Sequence, residues 1–185
     1  MPEVLILTGP PGAGKSTVAQ ALAERYDRVA HIQTDVLRHF ITPTGYIAPG
    51  RPGFERQQRL GIHNACALAA NFLAERIAVI VDDIVVNQAD LAAYVEGVKL
   101  AQVPVHYVRL LPSLEVCQAR NRERAAQRVA PGRVQTVHAQ FVAAGEIGGS
   151  TIDSSALTAY ETADKLQALT TSGASIVSQS QAASD

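Results

Sequence analysis

The stretch Gly9-Pro10-Pro11-Gly12-Ala13-Gly14-Lys15-Ser16-Thr17 decides the fold. It fits the pattern GxxxxGK[ST], in which a glycine-rich turn is followed by a lysine and a hydroxyl residue. The apolar run from Val4 to Thr8 before it is typical of a buried strand, and Ser16 to Tyr26 after it has the spacing of a helix. A strand, this turn and a helix together predict a loop whose backbone N–H groups bind phosphate.

Each residue type in this loop has a physical role toward a bound polyphosphate. Gly9, Gly12 and Gly14 allow the backbone to bend until successive N–H groups point inward. The Lys15 ammonium is expected to reach the β- and γ-phosphates, and the Ser16 hydroxyl is a candidate ligand for Mg²⁺. The residues predicted to contact nucleotide are Gly9, Pro10, Pro11, Gly12, Ala13, Gly14, Lys15, Ser16 and Thr17.

Strand-like and helix-like runs alternate along the rest of the chain. Such an order predicts βαβ units, and therefore an α/β fold with a parallel sheet covered by helices on both faces. Ligands of such sheets bind beyond the carboxyl ends of the strands. The predicted strands are 4–8, 29–33, 77–81, 103–111 and a short one at 151–153.

Composition limits the classes of partner and the domain count. A length of 185 residues predicts one domain, which we place at 1–170, with a lid at about 120–140. The Pro/Gly-rich stretch at about 42–60 is predicted to be an acceptor-side loop, and the Ser/Ala-rich residues 171–185 a loosely ordered tail.

Charge and hydropathy give no signal for a membrane or for nucleic acid. The formal net charge is −1, so no extended nucleic-acid surface is expected. The apolar run at 4–7 is too short for a signal peptide or a membrane span, and Cys66 and Cys117 form no CxxC pair. We therefore expect a cytoplasmic protein with reduced cysteines, and we leave its oligomeric state open.

Three carboxylates follow predicted strands. Asp35 comes after the second strand, where it could bind or deprotonate an acceptor hydroxyl, or where Thr34 or Asp35 could cap a short helix. Asp82 and Asp83 end the third strand. Because neighbouring side chains on a strand point to opposite sides, we expect one of them to face the phosphates. Asp82 is the preferred metal-side carboxylate, Asp83 is its alternate on the substrate side, and a purely structural pair is the remaining interpretation.

Arginines supply the positive charge elsewhere. Arg120, Arg124 and Arg128 recur every four residues, which on a helix gives one stripe that could stabilise charge on a transferring phosphoryl group, or a solvated face. The following Ala130-Pro131-Gly132 is a candidate lid hinge. Arg38 could hold an anionic part of the acceptor, or it could pair with Asp35.

These motifs together resemble the P-loop kinases that include chloramphenicol phosphotransferase, zeta-toxin-like kinases and the kinase domain of polynucleotide kinase. The chain is most similar to the chloramphenicol phosphotransferase-like group, over about residues 3–169. The resemblance implies a three-layer sandwich with a five-stranded sheet of order 2-3-1-4-5, a mobile lid, and Asp35 as the base. The residues that carry it are the loop at 9–17, Asp35, Asp82-Asp83, the segment Leu110 to Glu115 leading to Arg120 and Arg124, and Thr151 to Ser155.

The sequence therefore predicts a phosphotransferase that uses ATP and Mg²⁺ and moves the γ-phosphate to a hydroxyl group. Expected acceptors are small molecules such as an antibiotic, a nucleoside or a sugar. Two alternatives stay open: a kinase of a nucleic-acid end or nucleotide-sugar, and a nucleotide-dependent binding module with slow ATPase activity. A large remodelling ATPase is disfavoured, because the chain is short and lacks sensor motifs.

Overall fold

The computed structural model describes residues 3–43, 45–124 and 129–177. Its centre is a five-stranded sheet of order β2-β3-β1-β4-β5 in which every neighbouring pair is parallel. This arrangement confirms the strand order 2-3-1-4-5. The strands are β1 (Val4–Thr8), β2 (Val29–Gln33), β3 (Ala78–Asp83), β4 (Val105–Leu110) and β5 (Ser150–Ile152).

Helices cover both faces of the sheet, because each βαβ crossover carries its helix across one face. α1 and α7 pack with one face around Leu5, Leu7 and Leu22, and α3 and α4 pack with the other around Ile6 and Tyr94. The helices are α1 (Lys15–Ala23), α2 (Thr34–His39), α3 (Phe54–Ala74), α4 (Gln88–Val98), α5 (Leu114–Glu123), α6 (Pro131–Ala144) and α7 (Ala159–Ser172), with a 3-10 turn at Lys99–Ala101.

The register of the central strands brings the chemically important segments to one edge. Leu7 of β1 pairs with Asp82, and Thr8 pairs with Asp83. The glycine-rich loop that follows β1 therefore begins beside the two aspartates that end β3. The Thr8 hydroxyl fixes this junction, since it accepts a hydrogen bond from Val85 N at 2.8 Å.

The acceptor-side loop is shorter than predicted. We expected it to extend to about residue 60, but α3 begins at Phe54, after Gly53 in a left-handed conformation (φ 90°). The expectation was wrong because residues 54–64 carry few apolar side chains at helical spacing, and a clear helical pattern begins only near Ala65. The Gln57 side chain instead links the helix to the loop, accepting from Ile47 N and donating to Gly45 O at 2.7 Å each.

The predicted arginine stripe is interrupted. α5 ends at Glu123, and Arg124 follows with an extended backbone (ψ 127°), so it does not continue the helical face of Arg120. Arg128, the third member of the stripe, lies outside the described residues. The candidate hinge at 130–132 is not a separate loop, because Pro131 is the first residue of α6 and Gly132 is its second.

The chain stays on the sheet beyond the predicted domain end at residue 170. α7 continues to Ser172, and residues 175–177 then run antiparallel to the start of β4. Tyr107 N donates to Ser175 O, and Val177 N donates to Val105 O, both at 2.9 Å. Residues 171–177 are therefore part of the fold, and the predicted loose tail does not begin at 171. Within the described residues, no helix has the length and apolarity needed to span a membrane.

Candidate functional site

The glycine-rich loop between β1 and α1 has the backbone that a phosphate cradle requires. Gly9, Gly12 and Gly14 all have positive φ angles, of 154°, 85° and 94°. A Cβ on Gly9 would lie 2.3 Å from Leu110 O, and one on Gly12 would lie 2.1 Å from Cys117 O, so only glycine fits at either position. Lys15 lies over the loop and donates to Gly9 O at 2.9 Å.

Arg120 joins the loop to the segment that follows β5. Its Nη1 donates to Ala13 O at 3.4 Å, while its Nη2 donates to Ser154 O at 2.9 Å and Leu157 O at 3.3 Å. A Cβ on Gly14 would meet Arg120 Nη1 at 3.8 Å, which is an ordinary contact distance. The guanidinium therefore lies beside the glycine-rich loop, and its role toward nucleotide stays a prediction.

Asp82 lies against the start of α1. The Ser16 hydroxyl donates to Asp82 Oδ2 at 2.6 Å, and His31 Nε2 lies 3.7 Å from the same oxygen. Burial alone would raise the pKa of Asp82, but His31, Lys15 and Ser16 outweigh it and hold the pKa below its usual value. Asp82 is thus an ionised carboxylate beside the Ser16 hydroxyl and the Lys15 charge.

Asp83 points away from the phosphate loop, and its carboxylate oxygens accept hydrogen bonds from other groups of the protein. Arg38 donates to both of its oxygens, at 2.7 and 2.9 Å, Tyr94 Oη donates to Oδ2 at 2.7 Å, and Ile84 N donates to Oδ1 at 2.8 Å. We expected Asp83 as an alternate ligand on the substrate side. In the structure Asp83 pairs with Arg38 instead. Neighbouring side chains on a strand point to opposite sides, so Asp83 faces Arg38 while Asp82 faces the phosphate loop.

Arg38 connects the buried Asp83 to the exposed Asp35. Its Nη1 also donates to Asp35 Oδ1 at 3.0 Å, so of the two roles considered for Arg38 the structure shows the pairing with Asp35. Burial would lower the pKa of Arg38, but the bonds and charge of Asp83 raise it above its usual range. α2 begins at Thr34 without a side-chain cap, so the helix-capping interpretation of Asp35 was wrong.

A cavity of about 800 Å³ opens beside Asp35. It lies between α2, the start of α3, the β3–α4 connection, α4 and α6. Charged side chains of both signs line it together with an apolar wall that includes Ile62, Ile84 and Val137. The charged members are Asp35, Arg38, Glu55, Arg59, Asp90 and Arg133.

Tyr46 of the acceptor-side loop and Arg133 of α6 both line this cavity and contact each other. Arg133 Nη2 donates to Tyr46 Oη at 2.8 Å, and the guanidinium carbon is 5.7 Å from the ring centroid. The His39 ring also stacks on the Tyr46 ring, with 5.7 Å between the ring centroids, and Phe54 makes an edge-to-face contact with Tyr46. The loop predicted to lie on the acceptor side lines the cavity through Tyr46 and Pro49.

Several residues of this site were not found from the sequence. His31 has no metal-ligand spacing to another histidine, and Tyr94 falls among the apolar residues of α4, so neither has a local signal of function. Arg133 was not singled out, because a single arginine in the first turn of a helix has no local signal of function. A periodic pattern identifies a buried face, but it does not show which long-range partner a polar atom on that face will meet.

The donor set at Ser16 and Asp82 fits a magnesium ion. Mg²⁺ is usually held by one or two protein oxygens together with phosphate oxygens and water, so a large carboxylate cluster is not needed. Among the described residues, no group of three or more His, Cys, Asp or Glu side chains could hold a metal ion. A hydroxyl and an ionised carboxylate 2.6 Å apart at the phosphate loop supply the kind of ligands required.

Solved structures with the same fold include several kinases at low sequence identity. The tunicamycin resistance protein of Deinococcus radiodurans aligns with a TM-score of 0.65 and 20% identity, over 96% of this chain and 99% of that one. A gluconokinase from Sinorhizobium meliloti 1021 aligns with a TM-score of 0.72 and 20% identity, over 94% of both chains. The APS kinase of Mycobacterium tuberculosis, solved with AMPPNP and APS, aligns with a TM-score of 0.63 and 17% identity, over 92% and 98%.

No curated protein sequence matches the chain. A family profile does match it, over residues 4–144, and the description of that family is AAA domain (AAA_33). The matched region contains the phosphate loop, both aspartates of β3, Asp35 and all of α6. The protein therefore belongs to the AAA_33 family and has the P-loop kinase-like fold of its structural relatives.

Proposed function

We propose that the protein is an ATP-dependent phosphotransferase that moves the γ-phosphate onto a hydroxyl group of a small molecule. The observation that carries the proposal is the position of Asp35. Its carboxylate is exposed, is held by Arg38 at 3.0 Å, and lines a cavity of about 800 Å³. Arg38 is held by Asp83, and the neighbouring Asp82 contacts Ser16 of the phosphate loop. On this proposal the acceptor site and the nucleotide site adjoin each other at the end of β3.

The nucleotide side is assigned to the loop at 9–17. Its N–H groups and Lys15 would hold the phosphates of ATP, and Ser16 and Asp82 would hold Mg²⁺, which neutralises charge on the phosphate oxygens. Arg120 is placed to stabilise charge at the nucleotide side of the loop, and Arg124 and Arg128 of the proposed lid remain candidates for the same task. Closure of that lid would exclude water and so prevent hydrolysis of ATP.

Asp35 supplies the base on the acceptor side. As the acceptor oxygen forms its bond to the γ-phosphorus, the bond between that phosphorus and the bridging oxygen of ADP breaks, and the hydroxyl proton passes to an Asp35 carboxylate oxygen. Arg38 is held in place by its hydrogen bonds to Asp83, and its bond to Asp35 Oδ1 fixes the direction of the Asp35 carboxylate. The products are ADP and a phosphate monoester.

The alternatives account for fewer of these features. A binding module with slow ATPase activity needs the phosphate loop, but it has no use for an oriented carboxylate in a separate cavity. By analogy with a tunicamycin resistance protein and a gluconokinase among the structural relatives, antibiotics and sugar acids are candidate acceptor classes.

Asp35→Asn tests the assignment directly. We expect ATP affinity to stay near that of the wild type and phosphoryl transfer to fall by roughly 10²–10⁴-fold, the usual effect of losing a general base. The measurement is the mass shift of acceptors in a panel of metabolites and antibiotics with ATP and Mg²⁺. Glu55→Gln is the matched control, because it removes another exposed carboxylate from the same cavity. Normal transfer by Asp35→Asn would place the acceptor site elsewhere.

A further inference from the structure

Small side chains create much of the room in the acceptor cavity. Ala89 and Ala93 lie one turn apart on α4, and Ala143 and Ala144 lie near the end of α6, and all four line the cavity. Ile62 of α3 and Val137 of α6 extend the same apolar lining. The volume of about 800 Å³ is within the range of about 300–1,000 Å³ that encloses a drug-sized ligand.

An apolar wall of this kind is not suited to a compact polyol. Hydroxyl groups pressed against alanine, isoleucine and valine side chains would lose water without gaining hydrogen bonds, which is unfavourable. An apolar group placed there would gain from burial. The wall therefore favours an acceptor whose surface is apolar on one side.

The charged side chains of the cavity balance one another. Arg38, Arg59 and Arg133 oppose Asp35, Glu55 and Asp90. Arg38 is moreover occupied by Asp83 and Asp35. A site for a polyanion such as a nucleotide-sugar or a nucleic-acid end would need an excess of positive charge, and the cavity has none among the described residues.

On the basis of the proposed kinase function, we propose that the acceptor is an amphipathic alcohol without net charge. Its hydroxyl lies at Asp35, and its apolar body lies against the alanines of α4 and α6. Tyr46 and Arg133 lie beside the polar part of such a molecule, since both side chains offer hydrogen bonds and a flat surface at the cavity.

The test compares matched pairs of neutral alcohols, each a compact polyol and the same polyol carrying a phenyl or octyl group, such as glucose with phenyl and octyl glucosides. Dissociation constants are measured by calorimetry with a non-hydrolysable ATP analogue and Mg²⁺ present. We expect the apolar member to bind at least tenfold more tightly, because filling a hydrophobic pocket gives roughly 10–200-fold discrimination. Phosphorylated glucose, as an anionic member, should gain nothing over glucose.

Narrowing the cavity should reduce the advantage. Ala89→Leu and Ala143→Leu add volume at exposed positions of the lining, so neither overpacks the core, and each should lower the ratio of the two affinities by at least about threefold. Ala92→Leu is the control on α4, because residue 92 is exposed and does not line the cavity. Equal affinities within the wild-type pairs, including no measurable binding of either member, overturn the inference, as does a filled variant that behaves like Ala92→Leu.

Phosphoryl transfer is read by mass in parallel samples that contain ATP and Mg²⁺ in place of the analogue, which separates the two proposals. Tight binding of the apolar alcohols without transfer to any hydroxyl would contradict the kinase function and leave the amphipathic cavity supported. Transfer to compact polyols that is as fast as transfer to their phenyl and octyl derivatives would contradict the amphipathic acceptor and leave the kinase function supported.

Discussion

Replacing Asp83 with asparagine removes the charge that compensates a buried arginine. The side chains of Arg38 and Asp83 are each only 2% exposed, and the guanidinium donates to both carboxylate oxygens. Breaking a buried ion pair by removing one partner costs about 3–5 kcal/mol. We expect about 3 kcal/mol, the lower end, because the asparagine carbonyl can still accept one bond and Asp35 still pairs with Arg38.

Asp35→Asn provides the comparison, because it breaks a bond to the same arginine from a carboxylate that is 66% exposed. An exposed pair contributes only about 0–1 kcal/mol. For a domain of this length, about 2–4 °C in Tm corresponds to each kcal/mol, so Asp83→Asn should lower Tm by about 6–12 °C. Asp35→Asn should lower it by no more than about 4 °C.

Urea unfolding followed by circular dichroism, with calorimetric melting, measures both variants. Asp35→Asn should retain stability and lose transfer, whereas Asp83→Asn should lose stability first. If the two variants are equally stable, Asp83 does not anchor Arg38 in the way that the hydrogen bonds indicate. A stable Asp83→Asn variant with altered acceptor binding would return Asp83 to the substrate side.

Three further changes test other parts of the structure. Lys15→Ala should weaken ATP binding or abolish transfer, and unchanged turnover would contradict the assignment of the phosphate loop. Gly97→Ala places a Cβ 2.5 Å from Cys66 Sγ, so we expect a loss of about 1–3 kcal/mol in urea unfolding, partly recovered by adding Cys66→Ala. Burial lowers the pKa of His106, and the negative charge of Glu3 opposes this only in part. The unfolded chain therefore binds the proton more readily than the folded chain does. The free energy of unfolding should fall as the pH drops below about 6.5. His106→Gln should flatten that part of the stability curve, and an unchanged slope would show that another group titrates.

Local patterns were sufficient for the parts of the fold that depend on neighbouring residues. β1 and β2 have the predicted bounds: β1 is a continuous apolar run before a glycine-rich turn, and β2 is a weaker run that contains His31 and Gln33. The end of α5 was missed, because the helical spacing of the arginines continues past Glu123 and no glycine marks the stop. Pairing of residues 175–177 with β4 was missed for a different reason: three residues are too short a run to predict a strand, and this segment is ordered by backbone hydrogen bonds to a distant strand.

The same distinction applies to the candidate site. The phosphate loop and Asp82 follow from short motifs that carry their own context, and the structure places Ser16 and Asp82 in contact. The burial of Arg38 has no local signal, because an arginine in a six-residue helix is usually exposed, and only the packing of α2 on α3 and β3 encloses it. Gly61 shows how close this packing is, since a Cβ there would lie 2.8 Å from Arg38 Nε.

β5 pairs only with Val108 to Leu110 and leaves the first half of that edge of β4 without a strand partner. The antiparallel segment at 175–177 covers this part of the edge. A protein shortened at residue 170 would present the main-chain groups of Val105 and Tyr107 as an open sheet edge, and such edges recruit strands from other molecules. Self-association of the shortened chain would then begin at the amino end of β4, far from the phosphate loop. Loss of solubility and retention of nucleotide binding could therefore occur in the same molecule.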